Sequence, residues 1–303
     1  WRAALARDAP LAVRFSHPDW LVARWIARHG PARAAAMMAW DNSRPSVTVR
    51  VSRGQGDPAA LRARWAAAGV ACAPHPARPD VCLVLGRGID PAALPGWGEG
   101  VAVVQDASTL LAVDLVDPKP GERILDACAA PGGKLADLAD RAGGAGITAL
   151  DASASRLARV RENLRRLRVT VDAVVAGDLT DPALSRVLLR AGAFDCILVD
   201  APCTNSGVLR RRPDARWRFS ADALASMVEL QGRLLEAASR LLKPDGRLVY
   251  STCSVEPEED GDRAASWVAA HPAWRCDRER LWLPGEQAAD GAYAVRLRRG
   301  ETD

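Results

Sequence analysis

From about residue 101 onward, short apolar runs alternate with stretches that have helical spacing. The apolar runs predict strands at 122–127, 146–151, 172–176, 194–200 and 246–251. The stretches between and after them predict helices near 134–142, 153–168, 181–191, 221–242 and 258–270. Such alternation is typical of the α/β class, with a mostly parallel sheet covered by helices on both faces. Polar and apolar residues also alternate over 293–299, which predicts a late antiparallel edge strand.

The first 100 residues have a different pattern. They read as helices up to about residue 45, interrupted by the stop His29–Gly30–Pro31, and then as an alternating strand over 46–51. Asp57 and Pro58 begin a further helix, and 81–85 is another short apolar run. A stretch rich in Pro and Gly ends this part at about residue 100. We therefore expect a small α+β domain over 1–100 and an α/β domain over 101–303.

The segment 125–134, LDACAAPGGK, lies where the first strand of the α/β part gives way to a helix. Gly132 and Gly133 permit a tight turn, and the start of the helix offers free N–H groups to a ligand. Asp151 ends the next apolar run, at the position where an acidic residue meets a ribose hydroxyl in nucleotide-binding folds. The segment is neither a GxGxxG fingerprint nor a Walker loop. It favours a nucleoside without phosphates over a dinucleotide or triphosphate, and a turn without any ligand stays open.

Several reactive or acidic residues follow the ends of predicted strands. Ligands of parallel sheets bind at this edge, so these residues are candidates for a common site: Asp126, Asp151, Asp178, Asp200 and Cys253. Cys203 and Cys253 follow neighbouring strands and have polar flanking residues, which favours reactive thiols. Such thiols need a lowered pKa, and helix starts or nearby arginines are expected to supply it. The other five cysteines are read as packing residues.

Composition excludes several classes of protein. The chain is 49% hydrophobic and 26% charged, with a net charge of +4, which is typical of a globular protein and does not by itself indicate a nucleic-acid partner. Its seven cysteines lack CxxC pairs and its four histidines lie far apart, which argues against disulfides and zinc. No apolar run is long enough for a membrane span. We expect a reduced, cytoplasmic protein without metal, and the first residue, Trp1, suggests a missing N-terminal portion.

A basic run follows Cys203. Its arginines and its tryptophan are candidates for contacts with RNA phosphates and bases: Arg210, Arg211, Arg212, Arg216 and Trp217, with Arg218 beside them. Trp217 either stacks on a base or packs beneath the loop. An ordinary solvated charged loop is the alternative for the run as a whole.

Taken in order, the motifs DACAAPGGK, ALD, GD, DAPC and YSTCS resemble the RNA 5-methylcytosine methyltransferases of the Nop2/Sun group. The resemblance covers nearly the whole chain. The segments FSHPDWL, NSRP, VQDAS, VLRRRPDARWR and LPGEQAADGAY look most like the bacterial Sun/Fmu branch, which methylates a cytosine of 16S rRNA. The resemblance implies a Rossmann-like, S-adenosylmethionine-dependent methyltransferase with a mostly parallel seven-stranded sheet. A small α+β RNA-binding domain would precede it. That branch also tends to carry a helical domain of the NusB type upstream.

The resemblance also implies a role for each site residue. Cys253 would be the nucleophile that attacks C6 of the cytosine, Cys203 would assist breakdown of the adduct, and Asp200 would stabilise the protonated ring. The S-adenosylmethionine site would include the loop after the first strand and acidic residues of the following strands: Cys128, Ala129, Ala130, Pro131, Gly132, Gly133, Lys134, Asp151, Arg156, Asp178 and Asp200. RNA is the expected partner, and the protein is expected to be a monomer.

Two departures from the family pattern and three alternatives stay open. Leu135 stands where the family often has Thr or Ser, and Asn205–Ser206 replaces a smaller pair after the PC motif. The same chemistry on tRNA has the same motifs. A DNA cytosine methyltransferase would place the nucleophile at Cys203, and a non-catalytic ribosome assembly factor would keep the fold alone.

Overall fold

The computed structural model describes residues 9–144 and 146–300 and contains two sheets. Its helices, in chain order, are α1 (Leu11–Phe15), α2 (Asp19–Asp41), α3 (Pro58–Ala67), α4 (Leu110–Val116), α5 (Gly133–Ala142), α6 (Ala154–Leu167), α7 (Pro182–Arg190), α8 (Ala215–Arg218), α9 (Ala221–Ser239) and α10 (Gly261–Ala270). Its strands are β1 (Thr48–Val51), β2 (Cys72–Pro74), β3 (Cys82–Leu85), β4 (Ala102–Val104), β5 (Ile124–Asp126), β6 (Ile147–Asp151), β7 (Ala173–Ala176), β8 (Phe194–Asp200), β9 (Leu242–Thr252), β10 (Trp274–Trp282) and β11 (Ala292–Arg299).

The larger sheet has seven strands in the order β10-β11-β9-β8-β5-β6-β7. The five strands from β9 to β7 are parallel, whereas β11 and β10 are antiparallel to their neighbours. The chain leaves β5 for β6 on one side and later returns to β8 on the other. The crevice between the carboxyl ends of β5 and β8 is therefore the position where ligands bind in open α/β sheets.

The five parallel strands and the helices between them confirm the α/β interpretation of the sequence. The expected edge strand at 293–299 is wrong in its position, because β11 is an inner strand and β10 forms the edge. The reason is visible in the sequence of β10, WRCDRERLW, whose charged residues are mostly exposed and hide the strand pattern. Helix α4 was also missed, because its residues are buried on nearly all sides and show no amphipathic period.

The smaller sheet is antiparallel, in the order β2-β3-β1-β4. Helix α3 packs on it around Leu61 and Trp65 and forms a core of its own. The Asp57 side chain caps α3 by accepting a hydrogen bond from the Ala60 N–H at 3.2 Å, as the sequence predicts. Gly30 has φ 76° and interrupts α2, at the stop predicted by His29–Gly30–Pro31.

Helices α1 and α2 pack on the larger unit, away from the core of the small sheet. Leu21, Trp25 and Met38 share a buried cluster with Phe219 and Val255. The first 100 residues, which the sequence predicts as one domain, are thus divided between two cores. The small sheet is joined to the large one by Arg50, whose guanidinium is buried and donates to Asp140 at 2.8 Å on α5.

Candidate active site

The segment after β5 forms the wall of a cavity of about 200 Å³. Asp126 ends the strand, Gly132 caps α5 with φ 103°, and residues 128–134 line the cavity together with Asp200. A residue with a side chain is strained at that φ, so Gly132 fits the turn. Leu135, one of the departures from the family pattern, is buried in the main core and does not face the cavity.

Asp126 is fully buried, and neither of its carboxylate oxygens has a hydrogen-bond partner among residues 9–144 and 146–300. Burial raises the pKa of Asp126 to about 7, and the neighbouring Asp200 adds to the shift. The sequence placed Asp126 at a strand end but assigned it no role. Only its burial and its missing partners single it out.

Three of the predicted ligand residues lie beside this cavity but do not line it. Asp151 accepts hydrogen bonds from the Ala130 N–H at 3.1 Å and the Ser153 N–H at 2.9 Å. Arg156 donates to the Ala130 carbonyl oxygen at 2.9 Å, so both side chains hold the loop in shape. Asp178 is exposed and accepts from the N–H and the hydroxyl of Thr180.

Cys203 and Cys253 meet above the ends of the neighbouring parallel strands β8 and β9. Their sulfur atoms are 3.3 Å apart, although the residues are 50 positions apart in the sequence. Asn205 bridges them, since its amide donates to the Cys203 carbonyl oxygen and its Oδ1 accepts from the Cys253 thiol at 3.4 Å. Asn205 has φ 64°, a backbone conformation that asparagine tolerates better than most residues. Both predicted reactive thiols therefore lie at one point of the sheet edge.

The loops that carry the two cysteines are tightly joined. The Gly207 N–H donates to the Cys253 carbonyl oxygen at 3.0 Å, and a Cβ on Gly207 would lie 2.7 Å from that oxygen. Ser206 is buried and pairs with the Ser254 hydroxyl at 3.0 Å. The pair Asn205–Ser206, the second departure from the family pattern, thus connects the two loops.

Lys134 and Asp200 lie between the cavity lined by residues 128–134 and the two cysteines. The Lys134 ammonium is 2.7 Å from Asp200 Oδ2, and Ser251 donates to Oδ1 at 2.9 Å. Burial alone would lower the pKa of Lys134, but the adjacent Asp200 outweighs it and the pKa is raised. Lys134 is therefore a fixed positive charge beside Cys253.

The expected lowering of the thiol pKa does not apply to Cys203. Its pKa is raised well above the ordinary value by the hydrogen bond with the Cys253 sulfur and by burial, with a further contribution from Glu259. No helix start offsets this shift, and the arginines expected to do so lie in other contacts. Cys203 is therefore held as a neutral thiol.

A second cavity, also of about 200 Å³, opens above Cys253. It shares a wall with the first, formed by residues of the β4–α4 connection and the Lys134–Asp200 pair: Val104, Gln105, Asp106, Thr109, Lys134 and Asp200. Asp290 and Tyr293 close its far side. Gln105, Asp106 and Asp290 lie in the family-like segments VQDAS and LPGEQAADGAY, but the sequence pattern assigned none of the three a role in the site.

Most of the predicted RNA-contacting arginines are engaged inside the protein. Arg210 is buried, stacks 4.0 Å from the Trp40 ring centroid and donates to the Arg44 carbonyl oxygen. Arg216 is also buried and donates to Asn42 Oδ1 at 2.8 Å. The expectation that these two guanidinium groups face phosphates is corrected, because their partners on the N-terminal segment cover them.

The other residues of the basic run differ in exposure. Arg211 bridges two carboxylates of the cavity wall, Asp106 at 2.8 Å and Asp290. Arg212 is exposed, and Trp217 is 62% exposed, so it does not pack beneath the loop. The neighbouring Arg218 is also exposed and pairs with Asp214, whereas Arg212 and Trp217 face solvent.

The fold and this site define a class. A seven-stranded, mostly parallel sheet with a glycine loop after β5 and two apposed thiols is a Rossmann-like methyltransferase architecture. Among solved structures, the chain is similar to a methyltransferase homologue from Pyrococcus horikoshii (TM-score 0.81, 26% identity, 96% of this chain and 98% of that one). It also has the fold of NSun6 from Pyrococcus horikoshii with SFG (TM-score 0.80, 19% identity, 94% of this chain and 99% of that one).

Sequence comparison gives the family within that class. The profile described as 16S rRNA methyltransferase RsmB/F matches residues 113–298, and the RsmF/B-like ferredoxin-like domain matches 17–90. The chain therefore belongs to the RsmB/F methyltransferase family. Relatives described as ribosomal RNA small subunit methyltransferase B are 38% identical in both Vibrio cholerae and Sodalis glossinidius, over 93% and 89% of this chain. The chain spans 65% and 61% of their lengths, respectively.

Two further observations concern residues 9–144 and 146–300. No helix in these ranges is long and apolar enough to cross a membrane. The same residues contain no group of three or more His, Cys, Asp or Glu side chains arranged to hold a metal ion.

Proposed function

We propose that this protein transfers a methyl group from S-adenosylmethionine to C5 of a cytosine in RNA, with 16S rRNA in the cytoplasm as the substrate. The observation that carries the proposal is the pair of thiols, 3.3 Å apart, beside the wall shared by two cavities. One cavity is lined by the loop that would hold the donor, and the other leads to Cys253. Membership of the RsmB/F family supports 16S rRNA over tRNA.

The residues of the first cavity fit S-adenosylmethionine. The unpaired carboxylate of Asp126 is suited to an ammonium group, which the methionine part of the donor carries. The loop 128–133 offers backbone polar groups at the start of α5, and Asp151 and Asp178 lie at the neighbouring strand ends where ribose and adenine are expected. Arg156 holds the loop from outside. When bound, this donor supplies an electrophilic methyl group.

The residues of the second cavity fit covalent activation of cytosine. A Cys253 thiolate that adds to C6 makes C5 nucleophilic and places negative charge on the ring, which a proton at N3 neutralises. Asp200 is suited to bind that protonated ring nitrogen, while Lys134 and Ser251 hold its carboxylate in place. The Lys134 ammonium lines the same cavity as Cys253.

The second thiol fits the end of the reaction. After C5 is methylated, a base such as water takes the C5 proton, and the electron pair of the C5–H bond then expels the Cys253 sulfur from C6. Cys203 is held as a neutral thiol in contact with that sulfur. It is suited to pass a proton to Cys253 as the carbon–sulfur bond breaks, which is the role we assign to it.

For RNA contacts, we propose the exposed Arg212 and Trp217, on the loop that follows the Cys203 segment. Arg211, Arg210 and Arg216 are assigned to shaping this loop and its cavity. We also propose that the small sheet over 48–104 positions RNA, because its last residue, Val104, and the following Gln105 line both cavities.

Bisulfite sequencing tests the proposed substrate. The chain is incubated with S-adenosylmethionine and either a 16S rRNA transcript or total tRNA. Bisulfite treatment and sequencing of each RNA then identify the cytosines that are protected from conversion by methylation. We expect one protected cytosine in 16S rRNA, absent when Cys253→Ser replaces the wild-type chain. Protection in tRNA alone would overturn the proposal that 16S rRNA is the substrate. RNA binding without any protected cytosine would support a non-catalytic factor.

A further inference from the structure

The turn that follows the Cys253 loop carries two adjacent buried carboxyl groups, Glu259 and Asp260. They directly precede α10, far along the chain from the first cysteine motif. No step of the proposed chemistry uses either of them. Both have raised pKa values because of burial, so the protein bears a cost for keeping them there.

Each carboxyl group holds the threonine next to a different cysteine. Glu259 accepts hydrogen bonds from the Thr204 N–H at 2.9 Å and from the Thr204 hydroxyl, directly after Cys203. Asp260 accepts from the Thr252 hydroxyl at 2.5 Å, directly before Cys253. One dipeptide is thus connected to both thiol-bearing loops.

The Cys203 side is fixed from a second direction. The amide of Gln231, on α9, donates to the Pro202 carbonyl oxygen at 2.9 Å and to Glu259 at 3.1 Å. Thr204, after Cys203, therefore contacts Glu259 directly, and Pro202, before Cys203, is connected to Glu259 through Gln231. On the other side, the Thr252 hydroxyl also accepts from the Ser254 N–H at 3.1 Å, which fixes the residue after Cys253.

We propose that Glu259 and Asp260 are positioning residues that separately set the placement of the two thiols, Glu259 for Cys203 and Asp260 for Cys253. This rests on the proposed function, because it assigns the two thiols to different steps. Loss of the Glu259 link impairs breakdown of the covalent adduct, and loss of the Asp260 link impairs its formation. A displacement of a fraction of an ångström suffices, because proton transfer and attack both depend steeply on distance.

Two isosteric substitutions test the Thr204–Glu259 and Thr252–Asp260 hydrogen bonds separately. Thr204→Val removes one donor to Glu259, and Thr252→Val removes the donor to Asp260. The matched control is Thr170→Val, at an exposed threonine remote from the site. The assay follows the denaturation-resistant complex between the chain and a 16S rRNA transcript in the presence of S-adenosylmethionine, and Cys203→Ala is the reference for adduct accumulation.

We expect Thr204→Val to prolong the lifetime of the adduct by roughly tenfold and Thr252→Val to slow its formation by a similar factor. Thr204→Ser and Thr252→Ser, which keep the hydroxyl, should restore wild-type rates. Gln231→Met should reproduce the Thr204→Val result, which keeps the test available if that variant folds poorly. A merely structural weakening would lower both rates together and would leave the two valine variants alike.

The outcomes are distinguishable. Unchanged adduct kinetics in both valine variants, or the same change in both, would overturn the positioning roles while Cys203→Ala still accumulates adduct. If Cys203→Ala accumulates none, the proposed function itself fails. Opposite changes in the two valine variants, with serine rescue, support the inference.

Discussion

At the scale of single residues, Asp126 is the group whose environment departs most from that of an ordinary carboxylate. It is buried without a hydrogen-bond partner, beside Asp200 and facing the donor cavity. A protein gains nothing in stability from such a residue, because burial without a partner disfavours its charged form. A cationic group of a bound ligand would supply the missing partner. We therefore expect Asp126 to lower the stability of the ligand-free protein and to raise its affinity for S-adenosylmethionine.

This expectation can be tested with Asp126→Asn. The folded pKa of about 7 is above the ordinary value, so burial of Asp126 costs least below pH 4, and the stability of the wild-type chain falls as the pH rises through 7. We expect the substitution to raise the free energy of unfolding by on the order of 1–3 kcal/mol at pH 8 and by much less at pH 4.5. Urea unfolding without ligand at the two pH values measures this.

The same variant should bind S-adenosylmethionine more weakly than the wild-type chain, by at least about tenfold in calorimetric titration. The opposite signs of the two effects are the distinctive feature. Lower stability at pH 8, or unchanged affinity, would contradict the assigned role of Asp126.

At the scale of elements, helix α2 is fastened to the turn that follows Cys253. Glu256 is completely buried and accepts from Trp25 Nε1 at 3.0 Å and from Arg28 at 2.8 Å, with Arg24 as a third donor. Glu258 pairs with the same two arginines but is partly exposed. The pair offers a comparison in which the charge partners are the same and only burial differs.

We expect Glu256→Gln to lower the free energy of unfolding by roughly 2–4 kcal/mol and Glu258→Gln by less than about 1 kcal/mol. Removing one member of a buried ionic cluster leaves its donors unpaired, whereas exposed pairs are screened by water. Urea unfolding at neutral pH gives both values. Equal losses in the two variants would mean that Glu256 does not fasten α2.

The elements also show what the sequence can and cannot predict. Strands such as β6 and β8 are apolar and bounded by helices with clear amphipathic periods, so local pattern identifies them. The cysteine motifs follow strand ends, and parallel topology brings such ends to one edge. Strand β10 and helix α4 lack a local period, and only tertiary packing defines them.

The burial of two arginines of the basic run has a related cause. Arg216 has the composition and surroundings of a surface arginine, but its partner Asn42 lies 174 residues away. No local pattern contains such a contact. Likewise, the cavity wall contains Asp106 and Asp290, which lie 184 positions apart in the sequence. Sequence motifs therefore predict the reacting groups, whereas the residues that position these groups are identified only from the fold.

At the scale of the whole molecule, the site is assembled from three parts of the chain. The sheet edge supplies the thiols and the donor loop, the small sheet supplies one wall, and α2 covers the loop after Cys253. Arg50 keeps the small sheet against α5 through Asp140. An RNA that contacts the small sheet therefore lies against both cavities.

The two classes of arginine in the basic run should differ when RNA binding is measured. Arg212→Ala is expected to weaken binding of a 16S rRNA transcript and to lower the slope of log Kd against log salt by about 1, without changing thermal stability. Arg216→Ala is expected to lower the melting temperature and to leave the salt slope unchanged, because its guanidinium is buried. A changed slope in Arg216→Ala alone would reverse the assignment.

The most direct test of the account is to trap the covalent complex with RNA in the two cysteine variants. Each variant is mixed with S-adenosylmethionine and a 16S rRNA transcript, denatured, and analysed by gel electrophoresis and intact-mass measurement. Cys203→Ala should accumulate a complex stable to denaturation, and Cys253→Ala should form none. A complex in Cys253→Ala and none in Cys203→Ala would make Cys203 the nucleophile and contradict the account.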